Sequence, residues 1–239
     1  MLGFSEVFPV PKPILGMIHL AGESPIQRAL EELAIFEEEG IDGAIIENYH
    51  DSAEDVEETL RAAEGRFRLT LGVNILLNEF DRAFVLASRY KGHFIQIDHV
   101  AGRYTRGELP AESYQRIKRE HPDIVVLGGV WPKYYQPVQG SDLKADLRKG
   151  MKRADAIVVT GEGTGKETPL KKIQEFRRVL GTHPLIIGAG LTPKNAYEQL
   201  RIADGAIVGS SLKPGGDTNA KVDKYLIRHL MTEVRRARA

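Results

Sequence analysis

Acids, amides and a histidine recur in this sequence at one kind of place, the end of a short apolar run. His19 is near the end of ILGMIHL, Glu47 and Asn48 close GAIIEN, Asn74 lies late in RLTLGVNIL, and Asp98 lies late in HFIQIDHV. Carboxylates seldom sit inside a protein without a partner or a task, so Glu47 and Asp98 are candidates for general acid–base work. Glu162, in the loop TGEGTGKETP, is a third candidate. His19, Asn48, Asn74, Thr160, Thr164 and Lys213 have the donors and acceptors to hold a substrate's hydroxyls or charge. Each has a plainer reading. Asn74 and Gln96 would serve as hydrogen-bonded interior groups, His19 as a core histidine, and Glu162 as a solvated loop residue. His99 has the opposite parity to Asp98 and reads as structural.

A second group of residues is small rather than polar. PLIIGAGLTPKNA and ADGAIVGSSLK each run from apolar residues into Gly188 and Gly190, or into Gly209, Ser210 and Ser211. Glycine lets a ligand approach the backbone, and exposed N–H groups with serine hydroxyls attract oxyanions. The pair reads as a phosphate grip, against the alternative of tight packing with no ligand. The loop TGEGTGKETP resembles a nucleotide-binding P-loop only superficially. Gly161 and Gly165 are four apart and Glu167 follows Lys166, so the required spacing is missing and the loop reads as a lid over a ligand.

These residues need elements to position them. Eight apolar runs alternate with eight amphipathic segments: 14–20, 43–48, 68–76, 93–100, 124–130, 156–161, 184–190 and 205–211 as strands, with helix-like stretches between and after them. Ser52 and Thr192-Pro193 signal helix starts, while Gly40, Gly65 and Gly181 signal helix ends. Near-continuous apolar strands between helices indicate a parallel sheet, and eight units in one chain of 239 residues predict a single α/β domain over 1–239, a (β/α)₈ TIM barrel. An open doubly wound sheet is the alternative. The repeat is one of fold, with no repeated sequence evident. In a barrel the strands' carboxyl ends form the active mouth, and residues two apart share a face. Thr70, Gly72 and Asn74, then Gln96 and Asp98, then Thr160 and Glu162, are thereby expected to face the lumen.

Composition narrows the function. Lys plus Arg and Asp plus Glu number 33 each, so the chain lacks the basic excess of a nucleic-acid binder. With no cysteine there is no disulfide, thiolate metal site or cysteine nucleophile, and a reducing cytoplasm is the expected location. MLGFSEVFPVPKP lacks a signal peptide's layout and no apolar run suits membrane insertion. No cofactor signature is present. A divalent metal on Glu47, Asp98, His19 or Asp217 is compatible with the residues, though no tight ligand spacing occurs. A homo-oligomer is equally compatible.

Five stretches in order, PILGMIHL, GIDGAIIENYHD, LGVNILLN, VVTGEGTGKETP and ADGAIVGSSLKPGGDT, resemble the BtpA/SgcQ family over nearly the whole chain. The resemblance implies a ribulose-phosphate-binding-type barrel. It carries motif positions onto His19, Glu47, Asn48, Asn74, Thr160, Gly161, Thr164, Gly165, Gly209, Ser210, Ser211, Lys213, Asp217 and Thr218. It also implies either a nucleosidase-like or sugar-metabolic enzyme, or a role of the kind that gave the family its name, accumulation of photosystem I. The sequence departs from the family's pattern at AGESP and after GGDT, two loops that face the ligand. The expectation is an enzyme acting on a small phosphorylated sugar or nucleotide-like metabolite, as isomerase, lyase or nucleosidase-like hydrolase. Its rival is a non-catalytic assembly factor on a barrel scaffold.

Overall fold

The computed structural model describes residues 2–239; Met1, the first residue of the N-terminal stretch read above, lies outside them. Among the described residues eight parallel strands close into a barrel. They are β1 (Ile14–His19), β2 (Gly43–Glu47), β3 (Thr70–Asn74), β4 (Phe94–Ala101), β5 (Val125–Val130), β6 (Ala156–Val159), β7 (Leu185–Ile187) and β8 (Gly205–Val208). Pairing of Ile14 with Ala206 and of Gly16 with Val208 joins β8 to β1 and rules out the open sheet. The helices are α1 (Pro25–Glu39), α2 (Ala53–Ala63), α3 (Phe80–Arg89), α4 (Ala111–Glu120), α5 (Leu143–Met151), α6 (Leu170–Leu180), α7 (Ala196–Leu200) and α8 (Lys224–Arg238).

Local chemistry explains the boundaries. The Ser52 hydroxyl accepts the Asp55 amide at 3.1 Å at the start of α2, and Gly40 ends α1 with φ +79°. Thr192 does not cap α7 directly. Its carbonyl accepts the amides of Asn195 and Ala196, forming a turn that delays the helix to Ala196. The strands end earlier than the apolar runs suggest. Residues 75–76, 160–161, 188–190 and 209–211 have left the ladder and belong to the loops at the carboxyl mouth.

Two apolar layers hold the barrel. Outward residues such as Ile46, Val73, Ile95 and Val159 pack on the helices. Leu15, Met17, Ile45, Phe94, Val125, Leu127, Val158, Ile186 and Ile207 fill the lumen. Gly72 faces that lumen as expected, since a Cβ there would lie 2.4 Å from the Phe94 ring. A short N-terminal helix (Phe4–Val7) brings Phe4, Val7 and Phe8 under the lumen, with the Phe8 ring edge-on to Phe94 at 5.1 Å. The amino end of the barrel is therefore plugged. Full burial of each such side chain contributes roughly 1.5–3 kcal/mol.

A short sequence repeat does exist at that end. Asp42-Gly43-Ala44-Ile45, Asp155-Ala156-Ile157 and Asp204-Gly205-Ala206-Ile207 each open a strand. Each aspartate amide donates to the carbonyl of Ile14, Val126 or Leu185 on the neighbouring strand, and each carboxylate accepts that same residue's amide, at 2.7, 2.8 and 2.9 Å. Arg238, Lys118 and Arg177 then pair with the three carboxylates. This two-way bond fixes the register of three strand pairs before the chain enters the lumen.

Candidate active site

Strand register brings the polar residues together at the opposite, carboxyl mouth. His19 lies beside Glu47, and Glu47 beside Asn74, across β1, β2 and β3. All three point inward because they share parity with Leu15 and Met17, with Ile45, and with Gly72. They line a cavity of about 270 Å³, together with Gln96, Asp98, Thr160, Thr164, Gly188, Gly190, Gly209, Ser210 and Ser211.

The carboxylate side of this cavity is tightly wired. Asn74 Nδ2 donates to Glu47 Oε1 at 2.6 Å and to Gln96 Oε1 at 2.8 Å. His19 Nε2 lies 3.9 Å from Glu47 Oε2. Glu47 is 6% exposed, and burial pushes its carboxyl up to about 7, with the charge of Asp98 acting in the same direction and those of Lys133 and Lys213 opposing it. Burial, reinforced by the charges of Lys213 and Lys133, holds His19 well below the ordinary imidazole value, so it is neutral near pH 7. Asp98 is also raised by burial, while its Oδ2 accepts the Tyr135 hydroxyl at 2.8 Å. Two polar atoms here, His19 Nδ1 and Asn74 Oδ1, are buried with no hydrogen-bond partner among the described residues. A carboxyl poised near neutrality beside a neutral imidazole can take up or release a proton at physiological pH.

The wall formed by the β7 and β8 loops is built of small residues. Gly190 has φ +69°, and a Cβ there would lie 2.2 Å from the Lys166 carbonyl oxygen. Only glycine lets the 160–169 loop pass so close. A Cβ on Gly209 would meet the His19 ring at 2.7 Å. The Ser211 hydroxyl is occupied, donating to the Leu191 carbonyl at 2.7 Å. The nearby loop residue Gly165 has φ +71°, and its Cβ position lies 2.9 Å from Ser210 Oγ. The 160–169 loop thus reaches across the mouth from β6 to β8, where the sequence places a lid.

The 160–169 loop residue Glu162 is exposed and outside the cavity wall. Strand alternation placed it inward, but β6 ends at Val159 and parity carries no meaning once the ladder stops. Lys213 also stands off the wall. The 3₁₀ turn Ser210–Leu212 carries it behind the site, where it is 1% exposed and donates to the Thr218 carbonyl at 2.9 Å. Asn48 supports the site from outside it, its Oδ1 accepting the Leu76 amide at 2.8 Å. His99 lies among the aromatic rings of Tyr104 and Tyr135, and burial pushes it down to about 4.

The pattern of the BtpA family matches residues 11–236. The chain belongs to the BtpA family. It is 30% identical over 236 residues to an uncharacterized protein of Pyrococcus horikoshii, covering 87% of this chain and 90% of that one. It is 25% identical over 247 residues to the photosystem I biogenesis protein BtpA of Synechocystis, covering 91% and 86%. Among solved structures, phosphoribosyl anthranilate isomerase from Thermococcus kodakaraensis superposes with a TM-score of 0.63 at 18% identity, covering 94% of this chain and 99% of that one. The native KDPGal structure superposes with a TM-score of 0.65 at 14% identity, covering 94% and 95%. These structures share the barrel fold.

Several residues of this BtpA-family cavity escape a reading of strand ends. Lys133, Tyr134 and Tyr135 reach it from the loop after β5, Tyr49 from the loop after β2, and Arg106 from a two-stranded hairpin (Arg103–Tyr104 with Gly107–Glu108) after β4. The aromatic and basic cluster WPKYYQP was the available signal, because it sets a lysine and two tyrosines just beyond a strand's carboxyl end. Among the described residues no three His, Asp or Glu side chains converge closely enough to hold a metal ion. Glu47 and Asp98 are instead engaged by Asn74 and Tyr135. No helix among the described residues is long and apolar enough to cross a membrane.

Proposed function

We propose that this BtpA-family barrel is an enzyme that moves a proton on a phosphorylated sugar or nucleotide-like metabolite. Its phosphate would rest on Gly188, Gly190, Gly209, Ser210 and Ser211, and its sugar would face Glu47 and Asp98. The observation that carries this reading is the pairing of two unlike walls in one cavity. A glycine–serine wall at β7 and β8, where barrels commonly take phosphate, shares one cavity with a carboxyl raised to about 7. Glu47 is the acid–base group, Asn74 holds it in place, and His19 and Thr160 orient hydroxyls. Ionised Glu47 accepts a proton from the substrate and, once protonated, returns it to another atom, while Asp98 is held in place by the Tyr135 hydroxyl. The presence of a phosphoribosyl anthranilate isomerase among the similar folds supports the class of substrate.

The Synechocystis relative, a photosystem I biogenesis protein, favours a second reading, a non-catalytic assembly factor. The two separate cleanly. Calorimetric titration with ribose 5-phosphate and with nucleoside monophosphates should show saturable binding, weakened at least tenfold by Ser210→Asp, which sets a carboxylate against the phosphate. If no phosphorylated compound binds, or if Ser210→Asp binds as the parent does, the enzyme reading fails and the assembly reading stands.

A further inference from the structure

The cavity has a cationic region that the glycine–serine wall does not supply. Lys133 and Arg106 line it from the loops that follow β5 and β4. They come from two separate insertions, the loop after β5 and the hairpin after β4. Neither has a carboxylate within salt-bridge distance among the described residues, whereas Arg82, Arg89, Lys118 and Arg177 each take one. The acid closest in function, Asp98, already accepts the Tyr135 hydroxyl at 2.8 Å.

Both cations are held rather than free. Lys133 Nζ donates to Thr164 Oγ1 at 3.0 Å, its amide donates to Thr160 Oγ1 at 2.7 Å, and the Thr164 amide donates to the Tyr134 hydroxyl at 2.9 Å. The Arg106 guanidinium lies over the Tyr135 ring, 5.9 Å from its centre. An ammonium fixed by a neutral hydroxyl and a guanidinium resting on an aromatic face keep most of their donors available to a ligand. Thr164 belongs to the loop whose neighbour Gly165 reaches Ser210, so one loop links Lys133 to the glycine–serine wall.

Resting on the function proposed above, we infer that the substrate is doubly anionic. Its phosphate lies at β7–β8, and a second anionic group of the same molecule, carboxylate or phosphate, is bound by Lys133 and Arg106. This second contact makes Lys133 and Arg106 specificity-determining. It places the sugar between two fixed points, with the intervening carbons in front of Glu47 and Asp98.

Calorimetric titration tests this with three probes: ribose 5-phosphate, its oxidised analogue 5-phosphoribonate, and ribulose 1,5-bisphosphate. At least one two-anion probe should bind tenfold or more tightly than ribose 5-phosphate, and which one does identifies the second group. Lys133→Met and Arg106→Gln should each erase most of that advantage. Lys133→Arg, which keeps the charge, should retain it, and thermal melts of all variants report their folding. Equal binding of all three probes, or an advantage that survives Lys133→Met with Arg106→Gln, overturns the inference and leaves the phosphate reading intact. Binding of none of them overturns both.

Discussion

The two ends of the barrel use the same residue types in opposite ways. At the amino end, Asp42, Asp155 and Asp204 each take a strand amide and a cation, and Phe4, Val7 and Phe8 close the lumen beneath them. At the carboxyl end, Glu47 is buried with a single amide donor and no cation within salt-bridge distance, while Lys133 and Arg106 lie in the same cavity without a carboxylate. Charges are neutralised where the chain needs register and kept apart where it needs a ligand. Burying an unpaired carboxyl costs stability, and the fold tolerates that cost at one end because the other is so well fastened.

Exchanging Glu47 for a neutral isostere tests the contrast with the largest expected effect. The raised Glu47 carboxyl means the folded state holds its proton more tightly than the unfolded chain does. Its favourable contribution is fully present below about 4.5 and is lost as pH rises through about 7. The shift corresponds to about 3 kcal/mol. Urea denaturation should therefore show Glu47→Gln gaining up to that amount relative to the parent at pH 8, with the gain vanishing near pH 4.5. A variant that is less stable at every pH would place Glu47 with the fastening aspartates instead.

Asp204→Ala is the converse test, and a smaller one. The Arg177 pair is half-exposed and contributes little. The buried Leu185 amide left without its acceptor costs about 1–3 kcal/mol. Urea midpoints should fall accordingly, while ribose 5-phosphate affinity stays within twofold. A loss of affinity with unchanged stability would dissolve the division between the ends.

The sequence is more legible at one end than at the other. Apolar runs and helix caps suffice for eight strand–helix units; strand-end position picks out His19 and Glu47, and alternation puts Asn74 and Asp98 on the lumen side, because each lies on a paired strand. Glu162 and Lys213 lie past the last ladder bond, where neither alternation nor nearness in sequence controls direction. Lys133 and Arg106 enter from irregular insertions with no period to read. The aspartate device hides for a different reason. Its partners, Ile14, Val126 and Leu185, belong to the preceding strand, so the three short DGAI-like runs look unremarkable until the strands are paired.

The most direct measurement is the ionisation of Glu47 itself, followed by carbon-detected NMR of carboxyl-labelled protein, with Glu47→Gln assigning the resonance. The account predicts a titration near 7 that shifts measurably when ribose 5-phosphate saturates the cavity. A titration between 4 and 5, unmoved by that ligand, would contradict it.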